Sequence, residues 1–297
     1  MGSLSTLSLP LPSLRMQALQ AGPSNGPLVL LLHGFPESSE SWREVLPVLG
    51  DAGFRAVAPD LRGYGGTDRP KSGYDIDTLA RDIQQLARYL QPDRPAHVVG
   101  HDWGGVIAFH LAAWHPETVD RLVAVNAPHM EVMVRNLRNP AQLLRSWYIA
   151  YFQVPWLPER HLSKQGGAAV ARLIRRALVN PAQVSEERLA RLAGNFSRPE
   201  AASAALAYYR QAARRLLFQR GSRRTPRIRA PFRLIWGKED DALGLELTQG
   251  LEPWFEHPPQ VSYLPGVGHF APLEAPGQVA ALIREHLSVS PGAATPR

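Results

Sequence analysis

The residues of this 297-residue chain most able to do chemistry lie in Val98-Val99-Gly100-His101-Asp102-Trp103-Gly104-Gly105. An apolar run breaks into glycines and resumes as the helical pattern Val106 to Trp114, so the chain turns sharply from strand to helix with Asp102 at the apex. Gly100 and Gly104 let the two arms pack closely, which holds the middle side chain up at the edge of a sheet. A carboxylate at that point restricts the chemistry. Attack on a carbonyl would give a high-energy anhydride, whereas displacement at a saturated carbon gives an ordinary alkyl ester, so the expected target is an sp³ carbon with a leaving group. The bland reading of Asp102 is an N-cap to the following helix, a position that suits aspartate.

Hydrolysis of an alkyl ester needs a base to activate water and a carboxylate to orient that base. Gly266-Val267-Gly268-His269-Phe270 sets a histidine in a glycine-rich loop after the last strand pattern, and Trp236-Gly237-Lys238-Glu239-Asp240-Asp241 follows the strand before it. Asp240 and Asp241 compete for the orienting role, with Glu239 a weaker rival. A third segment, Leu32-His33-Gly34-Phe35-Pro36-Glu37, comes straight after the first buried strand. The backbone N–H groups of Phe35 and Trp103 would form an oxyanion hole for water attacking the Asp102 ester, although His33-Gly34 by itself reads as an ordinary turn.

The elements that must position these groups follow from periodicity. Leu28–Leu32, Arg55–Ala58, Ala96–Val99 and Arg121–Val125 read as strands, alternating with helical patterns such as Ile76 to Leu90 behind the N-cap candidate Asp75. That alternation predicts an α/β fold with a mostly parallel central sheet and helices on both faces. From about Pro128 to Arg229 the strand signals give way to Ala, Arg and Leu at helical spacing, broken by prolines. They resume with Phe232–Trp236 and Val261–Leu264 and end in a helix from about Pro276 to Leu287. The expected division is a core in two parts, 1–129 and 230–297, with an inserted helical cap at 130–229. Met1 to Leu14 reads as a loose terminus, Arg220 to Arg229 as a solvated return linker, and the tail after Ser288 as frayed.

Composition narrows the function. With 44% hydrophobic and 20% charged residues the chain suits a soluble globular enzyme, and zero cysteines exclude disulfides and fit a cytoplasmic protein. No apolar run is long enough to span a bilayer, and the N-terminal segment makes a poor signal peptide. The net charge is +7, concentrated at 130–230, where 19 Lys and Arg face 5 Asp and Glu. Most are arginines at helical repeats, such as Arg172, Arg175, Arg176, Arg188 and Arg191, and read as a solvated helix face rather than a nucleic-acid surface, since no aromatic residues interleave them. His97, His101, His110 and His115 spread over a strand, a turn and a helix without metal-ligand spacing, so no metal is expected.

These segments together resemble the epoxide hydrolase branch of the α/β-hydrolase fold over about Leu28 to Leu287. The resemblance rests on His33–Glu37, the Asp60-Leu61-Arg62-Gly63-Tyr64-Gly65-Gly66-Thr67-Asp68-Arg69-Pro70 run, and Gly100–Gly105. It implies conversion of an epoxide to a vicinal diol through an ester on Asp102, hydrolysed by water that His269 activates, with no cofactor. It implies that Asp240 orients His269 and that two cap tyrosines, Tyr148 and Tyr209, hold the epoxide oxygen, with Tyr151 and Tyr208 as adjacent rivals. The implied partners are a small hydrophobic epoxide and water, with a homodimer as an open alternative. Trp147, Phe152, Trp156 and Leu157 would suit such a substrate or serve as packing. A haloalkane dehalogenase shares the triad but normally carries Asn where Phe35 stands here, and a catalytically idle hydrolase fold serving as a receptor normally lacks a triad member.

Overall fold

Leucine and valine run unbroken from Leu28 to Leu32, and every one of these residues is buried, as expected of a strand covered on both faces. The structure is a computed structural model describing residues 3–218 and 224–288. Its first elements are β1 (Ser5–Pro10), β2 (Arg15–Ala21), β3 (Leu28–Leu32), α1 (Val45–Asp51), β4 (Arg55–Pro59), α2 (Ile76–Leu90), β5 (Ala96–His101), α3 (Trp103–Trp114) and β6 (Val119–Val125). Seven helices follow: α4 (Met130–Asn136), α5 (Pro140–Arg145), α6 (Trp147–Tyr151), α7 (Leu157–Ser163), α8 (Ala168–Ala177), α9 (Glu186–Gly194) and α10 (Pro199–Phe218). The chain then completes β7 (Phe232–Gly237), β8 (Gln260–Leu264), α11 (Ala271–Glu274) and α12 (Pro276–Ser288). No helix among the described residues is long and apolar enough to cross a membrane.

The strands form one eight-stranded sheet in the order β1-β2-β4-β3-β5-β6-β7-β8, parallel from β4 onward and antiparallel where β2 meets β1 and β4. Period-two alternation divides the core between its faces. Leu28, Leu30 and Leu32 join Ile83, Leu86, Ile107 and Leu111 on the α2–α3 side. Val29 and Leu31 join Val45, Leu49, Val279 and Ile283 on the α1–α12 side. Asp75 caps α2, its carboxylate accepting the Thr78 N–H at 2.9 Å.

Three expectations need correction. The segment read as a loose terminus forms β1, hydrogen-bonded to β2 from Ser5 to Pro10, with Leu9, Leu11 and Leu14 buried. Pro10 ends an edge strand, where a missing N–H costs no ladder bond. Of the supposed solvated linker, residues 220–223 lie outside the described residues, while Ile228 is fully buried and bridges to Phe255. The tail after Ser288 also lies outside them. Finally, Arg188 is not on a solvated face: it is 3% exposed, and its guanidinium binds Glu44 and the carbonyl of Ser41, tying α9 to the loop before α1. Arg172, Arg175 and Arg176 are exposed as expected.

Candidate active site

Every residue singled out for chemistry in the core lies at or just beyond the C-terminal end of a parallel strand, where loops converge over the sheet. Asp102 sits between β5 and α3 with φ 49° and ψ −119°, and it makes no side-chain cap to α3. The turn is tight enough to demand its glycines. A Cβ at Gly100 would lie 2.3 Å from the Gly104 carbonyl oxygen, and one at Gly104 would lie 2.3 Å from that of Leu32. A side chain at either position would pry strand and helix apart.

Because it makes no cap, the Asp102 carboxylate is free to face the cavity. The Phe35 N–H donates to its Oδ1 at 2.8 Å, and its Oδ2 stands 3.8 Å from His269 Nε2. Burial pushes the Asp102 carboxyl up, opposed by His269, His101 and the backbone N–H groups of Phe35 and Trp103. Gly34 keeps this approach open, since a Cβ there would lie 2.7 Å from Asp102 Oδ1.

His269 follows β8, and its Nδ1 meets Asp240 Oδ2 at 2.8 Å. Asp240 is itself fixed: Oδ2 accepts from Asn126 Nδ2 at 2.8 Å, and Oδ1 accepts the N–H groups of Ala242 and Leu243 at 2.9 and 2.8 Å. Burial alone would raise this carboxyl, but His269, and after it Asn126 and the Leu243 N–H, bring it below the ordinary range. Burial likewise disfavours the His269 imidazolium, yet Asp240, and secondarily Asp102 and Glu37, raise it to about 10. Asp241, the rival for the orienting role, lines the cavity, with its carboxyl pushed up by burial and by Asp240. Glu239 instead accepts the Val267 N–H at 3.1 Å.

Two interactions behind the site were not read from the sequence. Asn126, directly after β6 with φ 42°, bridges the Gly237 N–H and Asp240. An asparagine just past a strand end is the available signal, because Asn tolerates left-handed backbone. The second is Glu37 with His101, both fully buried. His101 Nδ1 meets Glu37 Oε2 at 2.6 Å, and His101 Nε2 donates to the His269 carbonyl at 2.9 Å. Burial would raise the Glu37 carboxyl, but His101 and the Ser41 hydroxyl bring it to about 2.

The tyrosines separate by their partners. Tyr208 is buried and donates to the Arg62 carbonyl at 2.8 Å, away from Asp102, and Tyr151 pairs with His161 Nδ1 at 3.3 Å. Tyr148 and Tyr209 have ring centroids 6.0 Å apart and line the same cavities as Asp102. Burial and the nearby Asp102 carboxylate push both phenols well above their ordinary pKa, so they stay protonated. Trp147 and Phe152 also line the larger cavity, about 660 Å³, whereas Trp156 and Leu157 are exposed outside its lining.

No group of three or more His, Asp or Glu among the described residues is arranged to hold a metal ion. The arrangement therefore offers a buried carboxylate that accepts backbone N–H groups from Phe35 and Trp103, a carboxylate-paired imidazole and two neutral phenols. Residues 27–276 match a family model described as the alpha/beta hydrolase fold. The chain belongs to the α/β-hydrolase family. Among relatives of this hydrolase, the AB hydrolase superfamily protein YfhM of Bacillus subtilis (strain 168) is 39% identical, covering 90% of this chain and 92% of that protein. Epoxide hydrolase 4 of Homo sapiens is 34% identical, covering 91% of this chain and 75% of that protein. The crystal structure of Bacillus megaterium epoxide hydrolase with an inhibitor superposes with a TM-score of 0.86 at 26% identity, covering 95% of this chain and 100% of that one. The expected resemblance to epoxide hydrolases and the expected fold class are both upheld.

Proposed function

We propose that this α/β-hydrolase converts epoxides to vicinal diols through an alkyl ester on Asp102. The observation that carries the reading is the Asp102 carboxylate itself, with Oδ1 held by the Phe35 N–H, Oδ2 facing His269, and two phenols on the same cavity wall. The kinship with named epoxide hydrolases supports the same reaction. Residues 130–229 act as the cap and 1–129 with 230–297 as the catalytic core.

In the first step Asp102 Oδ2 attacks an epoxide carbon, the ring C–O bond breaks, and the electron pair goes to oxygen. An alkoxide is a poor leaving group, so Tyr148 and Tyr209 supply the hydrogen bonds and the proton it needs, a contribution of about 10²–10⁴ in rate. Esterification abolishes the charge on Asp102, one of the charges that keep His269 protonated, so the imidazole is released toward its neutral form when a base is needed. In the second step water attacks Cγ of Asp102 and gives its proton to His269 Nε2. Negative charge develops on Oδ1, against the Phe35 and Trp103 N–H groups, and collapse expels the diol, which takes the proton from His269; the second proton of the attacking water leaves the regenerated Asp102 carboxyl and replaces the one the tyrosine gave up in the first step.

A dehalogenase would instead need N–H donors for a halide, and Phe35 offers none from its side chain. One turnover in ¹⁸O-water tests the route. Label should enter the Asp102 carboxylate and be absent from the first diol; label in the diol alone would mean direct attack by water and would overturn the reading.

A further inference from the structure

Three consecutive residues of the loop that carries the base are each held by a side chain from outside it. The Val267 N–H donates to Glu239, the Gly268 N–H donates to Glu274 Oε1 at 3.1 Å, and the His269 carbonyl accepts from His101 Nε2. Glu239 follows β7 and His101 ends β5, so both anchor the loop to the core. Glu274 differs. Its second oxygen, Oε2, accepts the N–H of Val179 at 2.8 Å, two residues beyond the end of α8 in the cap. One buried carboxylate thus joins a backbone amide of the cap to the amide directly before His269.

The fit at this junction is close. Glu274 ends α11, the single turn that begins two residues after His269, and its side chain folds back onto Gly268. A Cβ at Gly268 would lie 2.9 Å from the Ala177 carbonyl oxygen and 3.0 Å from Glu274 Oε1, so the end of α8 seats against bare backbone. Burial pushes the Glu274 carboxyl up, and the Val179 and Gly268 N–H groups are the first to oppose it. Each amide therefore helps preserve the charge that the other binds. The same helix walls the larger cavity through Arg172, Leu173 and Arg176. Nothing in the mechanism above uses Glu274.

We propose that Glu274 is a positioning residue that couples the seating of the cap to the placement of His269. With α8 docked, the carboxylate spans Val179 and Gly268 and holds the imidazole at the Asp102 ester; with the cap-side bond lost, the loop is free to shift. This rests on the epoxide-hydrolysis reading and adds a residue that neither touches substrate nor exchanges a proton. The effect falls on the second step, because ester formation uses Asp102 and the two phenols, with which Glu274 has no hydrogen bond among the described residues.

Two variants of the full chain test the coupling. Val179→Pro removes the cap-side N–H, and the extended backbone of Leu178 before it, ψ 133°, accommodates proline. Glu274→Gln keeps the shape but turns an amide N–H toward one of the two donors. In single turnovers with an epoxide, followed by intact-protein mass, each variant should lengthen the life of the Asp102 adduct about ten-fold and leave its formation within about two-fold, since a fraction of an ångström at the base suffices. The two effects should not multiply in the V179P/E274Q double variant, because both act through one carboxylate. An adduct life unaltered in V179P overturns the proposal. Slower formation with unchanged decay also overturns it, since that is the mark of a loosened cap displacing the phenols. If E274Q does not fold, V179P carries the test alone. If the unaltered protein forms no adduct, the reaction reading fails, and hydrogen exchange then measures the coupling without turnover: V179P should speed exchange in the peptide spanning 266–270, and unchanged exchange there sinks the proposal.

Discussion

Asp240→Asn separates the two half-reactions and so tests the roles given to the site. The rise of His269 from 6.5 to about 10 amounts to about 5 kcal/mol in favour of the imidazolium, and Asp240 is its principal source, acting against the burial penalty. Asparagine keeps the shape, and its carbonyl can still accept from the Ala242 and Leu243 N–H groups. Its amide N–H would then face His269 Nδ1, now 2.8 Å from a carboxylate oxygen. Nδ1 becomes an acceptor and the ring proton moves to Nε2, the atom that should take a proton from water. Ester hydrolysis should slow by about 10³–10⁴, the order seen when an orienting carboxylate of a triad becomes an amide. Ester formation needs the ionised Asp102 and the two phenols, so it persists at alkaline pH. Intact-protein mass measured after mixing with an epoxide should show the enzyme heavier by one substrate, an adduct that decays over minutes. Turnover at the unaltered rate, or slow turnover with no adduct, would refute the assignment of His269 and Asp240 to the second step.

Tyr148→Phe and Tyr209→Phe should each lower the single-turnover rate of ester formation by about 10²-fold and the pair by more, with adduct decay unchanged. Gly34→Ala should cost at least about 10²-fold in the same rate, because its Cβ would lie 2.4 Å from the Asp102 Cβ and displace the nucleophile; an unaffected rate would count against the Phe35–Asp102 contact. Glu37, held at about 2 against an ordinary 4.5, contributes stability that is complete above about pH 4.5 and lost as pH falls through 2, about 3 kcal/mol in all. Urea unfolding as a function of pH should show this acid limb and lose most of it in Glu37→Gln. Arg62→Met should destabilise by about 3–5 kcal/mol in urea, since it strands the buried Asp82 that Arg62 binds through Nε at 2.6 Å and Nη2 at 2.8 Å.

The parts legible in the sequence are those with a local signature. β3 to β8 announce themselves through apolar runs, and α2 through its spacing and its Asp75 cap. β2 does not: Arg-Met-Gln-Ala-Leu-Gln-Ala is a helix-forming composition, made a strand by pairing with β1 and β4 on either side. The carboxylate and histidine at 102 and 269 are legible because glycines flank them at strand ends. Asp240 and Asp241 are indistinguishable by type, and the backbone after β7 separates them, turning one toward His269 and the other toward the cavity. Asn126 escapes notice, and Arg188 is misread as solvated, for another reason. Their partners lie 114 and 144 residues away, and a lone polar residue carries no periodicity that could point so far.

The arrangement also explains why two carboxylates beside one imidazole do not neutralise each other's purpose. Asp240 accepts four hydrogen bonds, three besides that of His269, and these hold its carboxyl below the ordinary carboxylate range. Asp102 has two backbone donors on it and is pushed up by burial, so its negative charge is the less stabilised of the two and the more available to a carbon electrophile. The difference comes from where each strand ends. The loop after β7 curls back and turns its N–H groups onto Asp240, whereas the turn after β5 sets Asp102 Oδ2 3.8 Å from His269 Nε2. On the proposed route a further donor aimed at Oδ2 should tighten the ground state of Asp102 and slow ester formation.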